Sequence, residues 1–260
     1  MQQYMECKSG AYTIRGTVYI PEQASINHKV PMTVLCHGFT ADRNETLFIH
    51  RRLARILSAA GIAALCFDFM GSGESDGTFE EMSVLTETAD VLAVLNYVCT
   101  LDYVDADRIA LHGMSQGGLV ACLAAAREPQ KIRALSLWAP ALCIPDMCKK
   151  GYLLKVSLDK IEEIGYIDYQ GEKLGLIYVR DALQTDVWEE LRSYAGPILT
   201  VHGTADQTVP YEYSVKLCEQ FGGQCVLKTI EGADHDFETL SHNRQRLEYA
   251  AAFLKEQLSV

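Results

Sequence analysis

Hydrophobic and polar positions along the chain fall into two rhythms that take turns. From residue 13 to 20 apolar and polar side chains alternate, which predicts an antiparallel strand with one face buried. Residues 30–36 are a short apolar run with β-branched members that ends at His37-Gly38, and they read as a strand covered on both faces. Residues 47–60 carry Leu47, Phe48, Leu53, Ile56, Leu57 and Ala60 at helical spacing, with Gly61 as the stop. The exchange then continues. Strands are predicted at 62–69, 108–112, 132–139, 197–202 and 225–230, and helices at 86–99, 116–127, 213–220 and 243–258. Strands that alternate with helices predict an α/β fold: one mostly parallel central sheet flanked by helices, with the functional residues in loops beyond the carboxyl ends of the strands. Residues 142–185 break the rhythm. Two polar-aromatic strands, 164–169 and 174–179, flank Gln170-Gly171-Glu172-Lys173 as a hairpin would, so the stretch reads as a small insertion into a single domain spanning 1–260.

Composition narrows the partners. With 260 residues, 48% of them hydrophobic, the chain is long enough for one large core. A formal net charge of -11 disfavours nucleic acid and anionic membrane, and no apolar run nears the roughly 20 residues that cross a bilayer. The expected partner is a small-molecule substrate; a homodimer is left open. Nine cysteines cannot all pair within the chain, most of them sit in apolar runs, and no C-x-x-C is present. Residues 1–6 lack the basic start and apolar core of a secretory signal. Together these predict a cytoplasmic protein whose nine thiols are free, with no metal and no cofactor.

The chemistry is concentrated at Gly113-Met114-Ser115-Gln116-Gly117-Gly118. It follows a predicted strand and opens an Ala-rich helix. A serine there stands on a sharp turn with small neighbours, its hydroxyl clear of the sheet and above a helix N-terminus. Ser115 needs a base to be nucleophilic at neutral pH. Of seven histidines, His37, His112 and His202 each end a strand just before a glycine and read as sheet-edge residues, while His28, His50 and His242 lie in a loop or on helices. His235, in the loop after the last strand, is placed to reach Ser115. The base needs an acid to orient it, and Asp206, directly after the strand at 197–202, is preferred over Asp234 and Asp236, which flank His235 too closely to face it. The order Ser, Asp, His is that of α/β-hydrolases. Backbone N–H groups of Gln116 and of Phe39, in the loop after the strand at 30–36, are the candidate oxyanion donors.

The set His37-Gly38-Phe39-Thr40, Asp68-Phe69-Met70-Gly71-Ser72-Gly73-Glu74-Ser75, Gly113-Met114-Ser115-Gln116-Gly117, His202-Gly203-Thr204-Ala205-Asp206 and Gly232-Ala233-Asp234-His235 resembles the α/β-hydrolase superfamily from Lys29 onward. More narrowly, the chain is similar to the cinnamoyl (feruloyl) esterases of gut bacteria, which carry a small inserted subdomain where this chain has 142–185, entered through a segment like Trp138-Ala139-Pro140-Ala141. The resemblance implies the α/β-hydrolase fold and hydrolysis of hydroxycinnamate esters through an acyl-enzyme, with peptidase, acyltransferase or thioesterase activity as alternatives on the same scaffold. The insertion is expected to roof the acyl pocket. Its tyrosines suit a planar aromatic acid, and Asp146 and Tyr169 are the candidate substrate contacts.

Overall fold

The computed structural model describes residues 1–258. The chain opens with β1 (Gln2–Ser9), β2 (Tyr12–Tyr19) and β3 (Val30–Cys36), followed by α1 (Ile49–Ala59), β4 (Ala63–Asp68), α2 (Val84–Val98), β5 (Val104–Met114), α3 (Gln116–Arg127) and β6 (Ile132–Trp138). The segment between β6 and the next sheet strand holds α4 (Ile144–Lys149), β7 (Tyr152–Leu153), β8 (Val156–Ser157), α5 (Ile161–Ile164), β9 (Tyr166–Tyr169), β10 (Glu172–Gly175), α6 (Leu176–Gln184) and α7 (Val187–Glu190). The sheet then resumes with β11 (Ile198–Gly203), α8 (Glu212–Phe221), β12 (Cys225–Ile230) and α9 (Leu240–Gln257).

Eight strands form one sheet in the order β1-β2-β4-β3-β5-β6-β11-β12. The first two pairings are antiparallel and the rest parallel. Every residue of β3, β4 and β11 is buried. That is the reason these strands appear in sequence as continuous apolar runs rather than alternating ones. One core layer joins the sheet to α1 and α9 through Leu53, Leu57, Leu247 and Leu254. The other joins it to α2, α3, α8 and the inserted segment through Val91, Leu119, Leu217 and Tyr178. The chain passes from β3 outward to β4 and then back to β5 on the other side of β3. The strand order therefore reverses at β3/β5, and the crevice beyond their carboxyl ends is the place where an open α/β sheet binds its ligand.

Three expectations are corrected. Strand β1 was not foreseen; it is an edge strand whose one buried residue is Met5, so it has no apolar signature. The second strand expected at 174–179 ends at Gly175, and α6 begins at Leu176. Tyr178, Val179 and Ala182 turn one helical face inward, and a Cβ on Gly175 would collide with the Glu80 carbonyl. Finally, Cys218 on α8 and Cys225 on β12 are paired as a disulfide, with Cα atoms 4.9 Å apart, so the expectation of nine free thiols does not hold. The turn through Gly222-Gly223 folds α8 back onto β12 and brings the two together. Among the described residues, no helix is long and apolar enough to cross a membrane.

Candidate active site

Ser115 is the single residue between β5 and α3. Its backbone lies at φ 53°, ψ -119°, a region that a side chain other than glycine adopts only under constraint. The constraint is visible. Ser115 N–H donates to the Trp138 carbonyl (2.9 Å), and its own carbonyl accepts from Gly118 (3.0 Å) and Ala141 (2.8 Å). The glycines around it are required by contact: a Cβ on Gly113 would run into the Gly117 backbone, and one on Gly117 into the carbonyls of Cys36 and His37.

His235 reaches Ser115 from the loop after β12. Asp206, in the loop after β11, accepts a 2.7 Å hydrogen bond from His235 Nδ1–H. A carboxylate only accepts, so the proton is on Nδ1, and Nε2 is left to accept from Ser115 Oγ–H at 3.0 Å. Asp206 is fully buried at its side chain. Its Oδ1 accepts from the N–H groups of Thr208 (2.8 Å) and Val209 (2.9 Å), and its Oδ2 from His202 Nε2–H (3.1 Å) as well as His235. Burial alone would raise its pKa; the hydrogen bonds from His202, His235 and Val209, with the charge of His235, outweigh burial and hold it well below the usual carboxylate range. Asp234 instead accepts from the Glu238 N–H (3.0 Å) and does not meet His235.

His202 is a residue that sequence reasoning missed. Its place at a strand end before a glycine suggests a sheet-edge histidine, yet it braces Asp206 while its Nδ1 accepts from Ser214 Oγ (2.7 Å), which is itself bonded to Thr200 Oγ1 (2.9 Å). The available signal was its spacing of four residues from Asp206 across one turn.

The two candidate oxyanion donors flank this line. Among the described residues, neither the Phe39 nor the Gln116 N–H meets an acceptor in a turn, loop or side chain. The loop carrying Phe39 is fixed on both sides. Glu45 Oε1 accepts from Gly38 N–H (2.6 Å). His37 Nε2 accepts from Phe69 N–H (3.2 Å), leaving Nδ1–H to donate to the Gly38 carbonyl at 2.8 Å. In a trans peptide the N–H of the next residue points opposite that carbonyl, so His37 fixes the direction of the Phe39 N–H. Gln116 is fixed through its side chain: Tyr178 Oη–H donates to Gln116 Oε1 (2.6 Å), and Gln116 Nε2–H donates to Glu87 Oε2 (2.8 Å). Glu45, Glu87 and Tyr178 were not singled out in this role, and no local motif marks them.

A cavity of about 700 Å³ opens over Ser115 and His235. Ile144, Leu153, Leu154, Tyr169 and Tyr178 give it an apolar and aromatic side from the inserted segment, while Asp42, Glu45 and Asp236 put carboxylates on the rest of the wall. Tyr169 therefore lines the cavity and meets the Phe39 ring edge-on at 4.9 Å. Asp146 does not line it; its Oδ2 accepts from Tyr213 Oη–H at 2.8 Å.

Burial holds the Glu87 carboxyl well above its ordinary pKa, and burial likewise raises Asp90 to about 6. A group whose pKa is higher in the folded chain contributes stability that is complete below its unfolded value and is lost as pH rises through the folded one. Glu87→Gln, which keeps the shape but cannot ionise, should therefore gain on the native protein as pH rises. Thermal melts at pH 5, 7 and 9 are expected to show the difference in Tm widening by about 2–4 °C. A gap that stays constant across this range would mean that Glu87 is not held neutral.

Residues 50–260 match the prolyl oligopeptidase family. Among solved structures, Est1E from Butyrivibrio proteoclasticus with ferulic acid bound superimposes with a TM-score of 0.90 at 33% sequence identity, over 98% of this chain and 100% of Est1E. The putative esterase YitV of Bacillus subtilis (strain 168) is 26% identical over 204 residues, 75% of each chain. An uncharacterised 31.7 kDa protein of Escherichia coli is 35% identical over 119 residues, which span 46% of this chain and only 39% of that protein.

Proposed function

The chain belongs to the prolyl oligopeptidase family, with the fold of the α/β-hydrolases, and from that premise we propose that it is a serine esterase that releases hydroxycinnamic acids from their esters. The observation that carries this reading is the line Ser115–His235–Asp206 opening into a cavity walled on one side by aromatic and aliphatic residues. The similarity to Est1E supports the same substrate class.

The geometry supports an acyl-enzyme reaction. Ser115 Oγ attacks the ester carbonyl carbon as His235 Nε2 takes its proton. The charge that develops on the carbonyl oxygen meets the Phe39 and Gln116 N–H groups and the positive end of α3. His235 then returns the proton to the leaving alcohol. Water repeats the sequence on the acyl-enzyme, and the free acid departs. Asp206 keeps His235 in the required tautomer and offsets the imidazolium charge. The aromatic acid lies against Ile144, Leu153 and Tyr169, with Tyr169 as the proposed ring contact; Asp146, bonded to Tyr213 away from the cavity lining, is given no substrate contact.

Steady-state kinetics on methyl ferulate, p-nitrophenyl acetate and an aminoacyl anilide test this. The ferulate ester should exceed the anilide in kcat/KM by at least about 100-fold. Comparable turnover of the anilide would replace the esterase reading with a peptidase one.

A further inference from the structure

The insertion touches more than the acyl pocket. Tyr178, on its helix α6, is fully buried and stands between the two oxyanion candidates. Its hydroxyl donates to the side chain of Gln116, and its ring lies 5.6 Å from that of Phe39. The far side of the Gln116 amide is taken by Glu87 on α2. Gln116 is 0% exposed, Tyr178 0% and Glu87 2%, so water does not compete for any bond in this chain of three. One turn further along α6, the Asp181 carboxylate is held by the hydroxyl of Ser83, the N-cap of α2. Helix α6 is thus pinned at two points, at the start of α3 and at the N-cap of α2.

We infer that Tyr178 and Glu87 are positioning residues for the oxyanion hole: through the Gln116 amide and the Phe39 ring, the inserted segment holds both N–H donors in register with Ser115. The expectation that the insertion acts only as a roof over the acyl group is thereby extended. An amide side chain offers an acceptor on one side and donors on the other. In the arrangement seen, Tyr178 supplies a donor and the Glu87 carboxyl an acceptor, so both sides of the Gln116 amide are satisfied. Burial favours the neutral form of Glu87, which keeps a fixed charge away from the oxyanion that forms nearby. Removal of one oxyanion donor costs roughly 10²–10³ in kcat, and a donor left in place but loosened costs less.

The inference rests on the esterase reading, and the test separates the two. Tyr178→Phe keeps the ring and removes the hydroxyl. On p-nitrophenyl acetate, whose acyl group is too small to need the aromatic wall, kcat should fall about 10-fold or more with KM little changed. Affinity for a trifluoromethyl ketone, which forms a tetrahedral oxyanion on Ser115, should weaken by the same factor. The inhibition constant of ferulate, a product that forms no oxyanion, should stay within about twofold. Glu87→Leu and Glu87→Gln supply a second line should Tyr178→Phe fold poorly: the glutamine variant, which can still accept from Gln116, should retain several-fold more kcat than the leucine one. If Tyr178→Phe shifts only KM and ferulate binding for aromatic esters, Tyr178 is a pocket wall and the inference is overturned. Equal kcat for the two Glu87 variants would overturn it too. Failure of the native protein to hydrolyse any ester would instead remove the esterase reading beneath it.

Discussion

Replacing Ser115 by alanine is expected to lower kcat/KM for an aryl ester by roughly 10⁴-fold or more while leaving the fold intact. At about 1.36 kcal/mol for each factor of ten, that is more than 5 kcal/mol of transition-state stabilisation lost with one oxygen atom. The Phe39 and Gln116 N–H groups survive the change, and so does the cavity, so weak residual hydrolysis by bound water is expected. The fold should tolerate the variant for a specific reason. The unusual backbone at φ 53° is held by Trp138, Gly118 and Ala141 through main-chain bonds that do not involve the serine hydroxyl. Alanine meets the same backbone constraint as serine, so Tm should move by only a few degrees. A fluorophosphonate should add its mass to Ser115 in the native enzyme and leave the alanine variant unlabelled. Retention of more than a hundredth of the native activity in a folded Ser115→Ala protein would remove Ser115 as the nucleophile.

The architecture was legible where burial leaves a one-dimensional trace. Strand β3 and helix α3 have the bounds read from their apolar runs, because a strand covered on both faces, or a helix packed nearly all round, shows burial as continuous hydrophobicity. Ser115, Asp206 and His235 were nominated because each occupies a fixed place in the connectivity: the loop after a particular strand. What remained hidden has its cause in three dimensions. The start of helix α6 has the pattern of a strand because a short aromatic and β-branched run fits both periods; the decision belongs to Gly175, pressed against Glu80 nearly a hundred residues away in sequence. Edge strand β1 has almost nothing to bury. His202, His37, Glu45, Glu87 and Tyr178 are buried polar groups, and what such a group does depends on the partner the fold supplies. The Glu87–Gln116–Tyr178 chain spans three elements that no local motif connects. The pairing of Cys218 with Cys225 likewise follows from the turn between α8 and β12, and the cysteine count alone points away from it.

Asp206→Asn should lower kcat by roughly 10³–10⁴-fold with little change in KM, against a loss of no more than a few-fold for Asp234→Asn or Asp236→Asn. The size of the effect follows from the number of donors that converge on this carboxylate. Two come from imidazoles, His235 Nδ1–H at 2.7 Å and His202 Nε2–H at 3.1 Å, both on Oδ2. Two come from the backbone, Thr208 and Val209 N–H, both on Oδ1. Asparagine has one acceptor oxygen and one NH₂ to offer in place of two acceptors. If its oxygen faces Thr208 and Val209, the NH₂ faces His235, which then presents Nδ1 as an acceptor and moves its proton to Nε2. The ring nitrogen that must take the Ser115 proton is thereby already protonated. If the amide is reversed, the NH₂ meets two backbone N–H groups that it cannot satisfy inside a buried site, at a cost to stability. Either orientation damages the enzyme, the first in kcat and the second in Tm, so both are to be measured. The bonds from His202, His235 and Val209 outweigh burial and hold the native carboxylate well below the usual range, so protonation of Asp206 should not set the acid limit of activity. An Asp206→Asn enzyme with more than a tenth of native kcat, or a greater loss in either neighbouring aspartate variant, would reassign the acid that orients His235.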